Sequence, residues 1–387
     1  MNKKRIAIIT ATRAEYGLLM PLMERIEKEL MFELVLIVTG THLSYDYGHT
    51  IDDIYRDGFV PAHVIPILED DNTPYGVSIT IANAIKGFSK CFQEDKPDLV
   101  IILGDRTEMI GVACAALNEL IPIAHIHGGE VTEGAVDDCI RHAISKMSNI
   151  HFTSTELYRH RVIQMGESPE RVFNVGALGI ENIINQKLIN NVEIRRSVGI
   201  PENSRYAVVT FHPVTMERDL GIAQIEELCK AMTYKNDLFY VITGSNADAG
   251  GSKANLILKE FADNHNNTVF ILNLGMKKYL SAVKHAAFVL GNSSSGIIEA
   301  PTLGTPTVNI GDRQRGRLMG DTVVTCAPVA ADIVRTIDEV LIMEHRVSYL
   351  YGDGKTSKRI MDIISEFLST GIYNKKGFYD ICFSMQQ

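Results

Sequence analysis

Short runs of apolar residues alternate with longer segments whose apolar residues fall on one side, from the start of the chain to about residue 370. The short runs have the length and composition of buried strands, and the longer segments repeat their apolar positions as amphipathic helices do. Strands and helices that alternate at this spacing predict parallel strands joined by crossover helices. The fold class expected from the pattern is therefore α/β, with doubly wound, Rossmann-like sheets.

The first series of elements runs from Arg5 to Val175. Its predicted strands are Arg5–Ile9, Phe32–Val38, His63–Pro66, Asp98–Gly104, Ile121–Ile126, His151–Thr153 and Arg171–Val175. Its predicted helices are Tyr16–Leu30, Val77–Phe92, Thr107–Leu120 and Asp137–Met147.

A polar region from Asn185 to Arg205 breaks the alternation, and a second series of elements follows it. The predicted strands of this series are Tyr206–Phe211, Leu238–Ile242, Val269–Leu272, Phe288–Leu290 and Thr307–Ile310. The predicted helices are Leu220–Met232, Lys253–Asn264, Lys277–His285, Val329–Met343 and Thr356–Ser369. We therefore expect two domains, residues 1–180 and 181–387, with the last helix free to pack back on the first domain. Ligands of open α/β sheets bind at the carboxyl ends of the strands, so two such domains facing each other predict a ligand site in a cleft.

Composition limits the classes of partner and the compartment. The chain carries 38 lysine and arginine residues against 47 aspartate and glutamate residues, a net charge of −9. This balance disfavours nucleic acid as the main partner, because phosphate backbones bind basic surfaces. The 6 cysteines form no CxxC pair, as is typical of free thiols in a reducing compartment. No apolar stretch has the length of a signal-peptide core or a membrane span, so we expect a cytoplasmic protein with no membrane partner.

The segment Gly291–Pro301 joins the apolar run Ala286–Leu290 to a helix-like pattern. Its serines, Ser293–Ser295, are small enough to let an anion approach the free N–H groups at the start of the helix. Glu299, about one turn further on, is placed to accept a hydrogen bond from a neutral group such as a sugar hydroxyl. These features predict a site for phosphate and sugar, although an ordinary serine N-cap on a buried helix would have the same sequence.

The strand-end loops of the first series carry most of the remaining chemistry. Arg13 follows the first strand and is placed to pair with phosphate, although for one arginine alone a surface position is the better interpretation. Asp105 follows a buried strand, where aspartate is also a common N-cap. A further loop, His125–Glu130, leads to Asp137, Asp138 and Arg141 within a short stretch. Crowded carboxylates of this kind can serve as acid and base, or can bind a metal, but the spacings match no metal signature.

Three loops of the second series add polar groups at predicted strand ends. His212 follows a strand and precedes a proline, so its imidazole is expected to point towards a ligand. The turn Thr243–Asp248 and the segment Gly311–Arg317 supply donors for a ribose and a diphosphate. The chain contains no GxxxxGK[ST] motif, and no GxGxxG motif follows the first strand. Together the loops predict a nucleotide-sugar site and argue against a P-loop NTPase or a tightly bound NAD.

Several of these motifs, taken in order, resemble the hydrolysing UDP-N-acetylglucosamine 2-epimerases of sialic-acid biosynthesis, over essentially the whole chain. The motifs are Thr12–Gly17, Val38–His42, Gly104–Arg106, His127–Glu130, Ile140–His142, Phe211–Pro213, Gly291–Gly296 and Gly311–Gln314. The resemblance implies two Rossmann-like domains of the glycosyltransferase-B type, ligand sites in the cleft between them, and assembly as a homodimer or tetramer.

The resemblance also implies places for individual residues: it puts Arg13, His212, Asn246, Ser294, Ser295 and Glu299 around UDP, and Asp105, Glu130 and one of Asp137 or Asp138 at the sugar. The strand-end loops and the resemblance together give the following candidates. Those expected in catalysis are Asp105, His127, Glu130, Asp137 or Asp138, and His212. Those expected to bind the substrate or UDP are Arg13, Ala14, Glu15, Arg106, Arg141, Asn246, Asp248, Asn292, Ser293, Ser294, Ser295, Gly296, Glu299, Arg313 and Gln314. One departure matters: many relatives carry a glutamate where this chain has His127, so either His127 or Glu130 is the expected replacement in the acid–base role.

The implied reaction breaks the bond from C1 to UDP and removes the C2 proton, which gives 2-acetamidoglucal. Water then adds, and the products are N-acetylmannosamine and UDP. This chemistry implies no NAD and no required metal. The same reaction on UDP-2,4-diacetamido-2,4,6-trideoxyglucose, of the legionaminic-acid pathway, remains an alternative. A non-hydrolysing epimerase, a glycosyltransferase on the same scaffold and a non-catalytic UDP-sugar sensor are others.

Overall fold

The computed structural model describes residues 3–69, 73–131, 136–212, 220–244, 251–371 and 375–382. The chain forms two compact units. The first comprises the chain up to Asn182 together with the segment from Gly352, and the second comprises Ile183–Tyr351. The sequence-based boundary at residue 180 thus lies close to the observed first division, and the segment from Gly352 belongs with the first unit.

The first unit contains a parallel sheet with the strand order β3-β2-β1-β4-β5-β6-β7. Its strands are β1 (Lys4–Thr10), β2 (Phe32–Thr39), β3 (His63–Ile65), β4 (Leu99–Leu103), β5 (Ile123–Ile126), β6 (Ile150–Thr153) and β7 (Val172–Asn174). Its helices are α1 (Arg13–Lys28), α2 (Ile51–Arg56), α3 (Pro74–Glu94), α4 (Thr107–Asn118), α5 (Val136–Met147) and α6 (Glu156–Gln164), with α7 (Leu178–Asn185) at the division between the units.

Alternate residues of β1 show why this sheet is covered on both faces. Ile6 and Ile8 pack into one apolar cluster, and Ala7 and Ile9 pack into another on the opposite face. A strand buried on both faces needs a continuous apolar run, which is the pattern seen in Ile6–Ile9. Because all the strands run parallel, their carboxyl ends lie at one edge of the sheet.

The second unit repeats the architecture with a parallel sheet in the order β10-β9-β8-β11-β12-β13. Its strands are β8 (Tyr206–Thr210), β9 (Phe239–Thr243), β10 (Thr268–Ile271), β11 (Phe288–Gly291), β12 (Thr307–Ile310) and β13 (Val323–Cys326). Its helices are α8 (Asn191–Val198), α9 (Leu220–Tyr234), α10 (Gly251–Asp263), α11 (Gly275–His285), α12 (Ser294–Thr302) and α13 (Ala330–Leu341). The predicted α/β class, with two doubly wound parallel sheets, is confirmed.

The last helix, α14 (Thr356–Ser369), belongs to the first unit, where Ile360 and Ile364 join the same apolar cluster as Leu22 of α1. Glu181 fixes its start, since the buried carboxylate accepts hydrogen bonds from the Ser357 backbone N–H at 2.6 Å and from its hydroxyl at 2.7 Å. None of the described helices is long and apolar enough to cross a membrane.

No helix was predicted in the polar region Asn185–Arg205, and the structure corrects this omission. Helix α8 lies within this region, capped by the Asn190 side chain, which accepts from the Glu193 N–H at 2.9 Å, and ended by Gly199 in the left-handed region. The capping signals were present, but the short helix has too few apolar residues to show a period. Helices α2, α6 and α7 and strand β13 were missed for the same reason of length.

Candidate active site

Side chains from neighbouring strand ends converge at the carboxyl edge of the first sheet. Asp105 follows β4, His127 and Glu130 follow β5, and Arg141 lies on α5, the helix after β5. The neighbouring positions of β4 and β5 in the sheet, together with the crossover to α5, bring these residues into one group. The sequence prediction that they cluster is consistent with this geometry.

Arg141 is the centre of the group, although only 5% of it is exposed. Its guanidinium donates to the carboxylates of Asp105 and Asp138, the latter at 3.0 Å, and to the Glu130 carbonyl oxygen at 2.7 Å. Asp137, the other aspartate left open by the sequence, is exposed. Of the two aspartates, Asp138 is therefore the one held by Arg141.

Burial raises the pKa of Asp105 above its ordinary value, and the Arg141 charge acts in the opposite direction. The nearby carboxylates of Asp137 and Glu130 raise this pKa further. A carboxyl group whose pKa is raised in this way gives up its proton less readily than an exposed aspartate does. Arg141 is therefore the group that favours the ionised form of Asp105.

His127 occupies a turn with φ of +66°, a conformation that a residue other than glycine rarely adopts. Its Nδ1 lies 3.7 Å from the Glu130 Oε1, while its buried Nε2 has no hydrogen-bond partner among the described residues. Burial lowers the pKa of His127, so the imidazole is neutral at neutral pH. The Ser154 hydroxyl donates to the same Glu130 oxygen at 2.8 Å and orients the carboxylate. The strained turn thus presents a neutral imidazole beside a fixed carboxylate.

The first turn of α1 carries Arg13 and Glu15, which have contrasting environments. The Arg13 side chain is 76% exposed, with its Nε 3.7 Å from an Asp53 carboxylate oxygen. The Glu15 carboxylate instead turns inward and accepts from the Ala11 backbone N–H at 3.0 Å, while Thr12 caps the helix by accepting from the Glu15 N–H. Glu15 was expected to bind the substrate or UDP, and in the structure its carboxylate hydrogen-bonds to the backbone just before α1.

Arg106 and Ala14 complete the predicted residues of this unit. The Arg106 Nε donates to the buried Glu108 carboxylate at 2.7 Å, a partner that the sequence did not indicate. Its charge also lowers the pKa of Glu15, although burial dominates and raises that pKa to about 7. Ala14 is exposed on the first turn of α1.

Glu15→Gln is expected to remove a pH dependence from the stability of the first unit. Because the pKa of Glu15 rises from 4.5 to about 7 on folding, the native state binds a proton that the unfolded state loses between these values. The wild-type free energy of unfolding should therefore fall by about 3 kcal/mol as pH rises through this window, and the variant should lack this loss. Urea unfolding followed by circular dichroism between pH 5 and 8 measures the difference. Glu24→Gln, at an exposed position on the same helix, is the control; parallel curves for wild type and Glu15→Gln would contradict the prediction.

A cavity of about 770 Å³ lies at the carboxyl edge of the second sheet. Its lining includes His212, Ser293, Ser294, Ser295, Glu299 and Arg313, all predicted from the sequence. Ser293 is the N-cap of α12, since its side chain accepts from the Ser295 N–H at 3.3 Å. The N-cap alternative therefore holds for Ser293, and the start of α12 still opens into the cavity.

Glycines allow the loop before α12 and the first turn of that helix to lie close to the sheet. Gly291 has φ of +140°, and a Cβ there would lie 2.0 Å from the Thr210 carbonyl oxygen. A Cβ on Gly296 would lie 2.8 Å from the Thr307 Cγ2. Packing therefore requires the glycines on both sides of the serines. From the sequence, this packing role could not be distinguished from a role in ligand binding.

Asn292 and Gln314 are buried and bind the protein backbone. The Asn292 side chain accepts from the His212 N–H and donates to the His212 carbonyl, both at 2.7 Å. Gln314 and Arg313 donate to the Asn292 carbonyl at 2.9 and 3.1 Å. The Gln314 Oε1 is buried without a hydrogen-bond partner among the described residues. Asn292 therefore joins the loops after β8 and β11 and fixes the position of His212.

Asn292→Ala is expected to lower the free energy of unfolding of the second unit by about 2–4 kcal/mol, because it removes the two buried hydrogen bonds that hold the His212 backbone. Thermal or urea unfolding measures the loss. Asn264→Ala, which removes one exposed hydrogen bond to the Glu260 carbonyl, is the matched control. Equal stability losses in the two variants would show that the Asn292 bridge carries little energy.

Glu299 belongs to a hydrogen-bond network with Ser295 and Tyr279 that the sequence did not predict. The Tyr279 hydroxyl donates to the Ser295 Oγ at 2.8 Å, and Ser295 in turn hydrogen-bonds with Glu299. Burial raises the pKa values of both Glu299 and Tyr279, the latter to about 12. Tyr279 lies on α11 at a position that reads as a core residue, so only the structure could identify it. Asn246 and Asp248, also predicted as ligand-binding residues, lie outside the described residues.

The UDP-N-acetylglucosamine 2-epimerase family model matches residues 24–365 of the chain. The chain is 39% identical over 325 residues to a GDP/UDP-N,N'-diacetylbacillosamine 2-epimerase (hydrolyzing) of Campylobacter jejuni, with 84% of each chain covered. It is 37% identical over 384 residues to the polysialic acid biosynthesis protein P7 of Escherichia coli, with 98% of each covered.

The structure resembles that of the UDP-N-acetylglucosamine 2-epimerase of Neisseria meningitidis bound to UDP-N-acetylglucosamine. The TM-score is 0.79 at 18% sequence identity, and the match covers 94% of this chain and 100% of that one. At this identity the likeness shows the fold, and it confirms the predicted glycosyltransferase-B type.

Proposed function

The chain belongs to the UDP-N-acetylglucosamine 2-epimerase family, and we propose that it is a hydrolysing member that converts UDP-N-acetylglucosamine to N-acetylmannosamine and UDP. The observation that carries the proposal is the group formed by Asp105, His127, Glu130 and Arg141 at one edge of the first sheet. An epimerisation at C2 needs one group to remove a proton and a group to deliver one to the opposite face. Asp105 and the His127–Glu130 pair follow neighbouring strands and supply two such groups.

The first step of the proposed reaction is elimination. The bond from C1 to the β-phosphate oxygen breaks, and its electron pair leaves with UDP. The positive charge that develops at C1 acidifies the C2 hydrogen, which a basic side chain removes as the C1–C2 double bond forms. Each well-placed acid or base contributes about 10²–10⁴-fold to such a rate.

The second unit is proposed to hold the nucleotide. The start of α12, the serine hydroxyls and Arg313 surround the cavity of about 770 Å³ and suit a diphosphate. His212, held by Asn292, adds a donor near the same place. These groups stabilise the charge on the departing UDP, and Glu299 is suited to accept hydrogen bonds from the ribose hydroxyls.

The second step is hydration. Water supplies hydroxide to C1 and a side chain returns a proton to C2 on the opposite face, which gives the free 2-epimer. No electron leaves or enters the sugar, and proton transfer by side chains suffices, so we propose that neither NAD nor a metal is required. Assembly as a homodimer or tetramer, and a place in sialic-acid biosynthesis, remain part of the proposal; the name of protein P7 of Escherichia coli supports the latter.

A second substrate is favoured by the Campylobacter jejuni relative, whose name specifies N,N'-diacetylbacillosamine as the sugar. This sugar is 2,4-diacetamido-2,4,6-trideoxyglucose, and it differs from N-acetylglucosamine at C4 and C6. The chemistry at C1 and C2 is the same for both. Asp105 and Arg141 therefore serve either substrate equally, and specificity must come from contacts to C4 and C6.

Incubation of the purified protein with each UDP-sugar separately, followed by ¹H and ³¹P NMR, tests the proposal. We expect release of UDP together with free N-acetylmannosamine from UDP-N-acetylglucosamine. Faster turnover of the diacetamido sugar nucleotide would assign the second substrate. A product that keeps its UDP would identify a non-hydrolysing epimerase, and turnover that requires an acceptor sugar would identify a glycosyltransferase; either result would overturn the proposed function.

A further inference from the structure

A buried histidine contacts the loop of the first unit that carries Asp105. His125, on β5, is inaccessible to solvent. Its Nε2 lies 2.7 Å from the Gly104 carbonyl oxygen, and its Nδ1 lies 3.0 Å from the Ser145 Oγ. Gly104 immediately precedes Asp105, so the imidazole contacts the loop that carries this aspartate.

The two contacts determine the tautomer of His125. A carbonyl oxygen only accepts hydrogen bonds, so Nε2 must carry the proton and donate to Gly104. Nδ1 of the neutral ring is then an acceptor, and the Ser145 hydroxyl donates to it. Burial lowers the pKa of His125 to about 3, so the ring stays neutral at working pH. Both ring nitrogens are thus satisfied by fixed partners.

The two residues that His125 contacts, Gly104 and Ser145, lie on the two elements that position Asp105: the loop after β4 and helix α5. Gly104 has φ of +71°, and its carbonyl orientation sets the direction of the turn from which the Asp105 side chain projects. Ser145 lies on α5, the helix that also carries Arg141, whose guanidinium donates to Asp105. The imidazole therefore connects the backbone of Asp105 to the helix that supplies its charged partner.

Gly128 explains how a histidine fits at this place. A Cβ at position 128 would lie 2.9 Å from the Ser145 Oγ and 3.1 Å from the His125 Nδ1. A side chain there would push the serine and the imidazole apart. The glycine three residues after His125 is accordingly required by the His125–Ser145 contact, independently of any ligand.

We propose that His125 is a positioning residue for the 2-epimerase reaction, which fixes the Asp105 carboxylate against Arg141 through its hydrogen bonds to Gly104 and Ser145. The inference rests on the proposed function only for its kinetic readout. Independently of that function, loss of the His125 Nε2–H donor is expected to displace the loop that carries Asp105. Misplacement of a reacting group by about 1 Å can cost about 10²-fold in rate.

The test compares His125→Leu with His125→Gln. Leucine keeps an apolar volume and removes the donor, so we expect kcat to fall about 10–100-fold while KM and the affinity for UDP change less than about threefold. The glutamine amide can place a donor near Gly104, so we expect this variant to recover kcat to within about fivefold of wild type. Crystal structures of both variants should show the Asp105–Arg141 contact broken or lengthened in the leucine variant and retained in the glutamine variant.

His151→Leu is the matched control, because His151 is another fully buried histidine, paired in register with His125 on the adjacent strand β6. Its Nε2 contacts Glu167 at 3.2 Å and not the Asp105 loop. We expect it to lower stability without lowering kcat per UDP-binding site. If His125→Leu fails to fold, Ser145→Ala provides the test: it keeps the bond from Nε2 to Gly104 but removes the hydroxyl that holds the ring at Nδ1, so we expect a smaller fall in kcat and a smaller displacement of the Asp105 loop.

Unchanged kcat and an undisplaced Asp105 in His125→Leu would overturn the positioning role, as would an equal fall in kcat in His151→Leu. Failure of the proposed function gives a different result, since the wild-type protein would then release no free sugar. In that case the crystal structures still decide whether His125 positions Asp105.

Discussion

Asp105→Asn is expected to lower kcat by about 10³-fold or more while the affinity for UDP changes less than about threefold. The amide keeps the size of the side chain and its hydrogen-bonding reach, but it cannot take up a proton. Arg141 donates to this carboxylate, and in the variant it would face a neutral amide at this position while its bond to the Asp138 carboxylate remains. The residues proposed to hold UDP belong to the second unit, so nucleotide binding should persist.

Steady-state kinetics and isothermal titration with UDP measure these two quantities. Asp98→Asn is the matched control, because Asp98 precedes the same strand β4 and binds Lys4 and the Arg5 N–H at its other end. We expect that control to retain kcat within about threefold. A similar modest effect in Asp105→Asn would exclude this carboxylate from the proton transfers.

Arg141→Gln is expected to lower kcat by about 10²-fold and to shift the acidic limb of the pH–rate profile to higher pH. The arginine charge lowers the pKa of Asp105 against the effect of burial, so its removal raises that pKa further. The ionised carboxylate then forms only at higher pH, and the rate should recover in part as pH rises. The variant also loses the bonds to Asp138 and to the Glu130 carbonyl, so full recovery is not expected.

Rates measured between pH 5 and 9 test this second prediction. Arg161→Gln is its control: Arg161 lies beside the same group, where it donates to the Gly129 carbonyl at 3.4 Å, but no bond joins it to Asp105 or Asp138 among the described contacts. We expect its profile to match that of the wild type. An Arg141→Gln profile with a reduced rate and an unshifted acidic limb would contradict the electrostatic role.

The strands were predictable because both sheets are buried on two faces. Ile6–Ile9 and Val208–Val209 must be apolar whichever face they occupy, so their runs stand out from the polar loops. Short helices such as α8 offer too few turns for an apolar period, and only their caps, Asn190 and Gly199, marked them. The shortness of these helices therefore explains why the apolar pattern did not predict them.

The clustering of polar side chains at the carboxyl edge of the first sheet was predictable for a geometric reason. Parallel strands end at one edge, so Asp105 and Glu130, which follow neighbouring strands, could be expected to lie near each other. The pairings within the site were not predictable, because they depend on side-chain direction. Sequence left Asp137 and Asp138 equivalent, whereas the helical position of Asp138 places it within 3.0 Å of Arg141.

Residues with structural tasks inside the site were the least predictable. Glu15, on the first turn of α1, and Asn292, in the loop after β11, belong to motifs expected to bind the ligand, yet their described hydrogen bonds are to neighbouring groups of the protein. Tyr279 shows the reverse, since an aromatic residue on a helix reads as core but contacts Ser295 in the cavity. Residues that hold a loop in place by hydrogen bonds are of the same types as residues that bind its ligand, so residue type does not distinguish the two roles.

In the proposed reaction, the departure of UDP from C1 allows side chains of the first unit to exchange the C2 proton of the sugar. Turnover of UDP-N-acetylglucosamine in D₂O, with the released sugar analysed by ¹H NMR and mass spectrometry, tests it most directly. We expect N-acetylmannosamine that carries one solvent deuterium at C2. Free N-acetylmannosamine that retains the original hydrogen at C2 would contradict it.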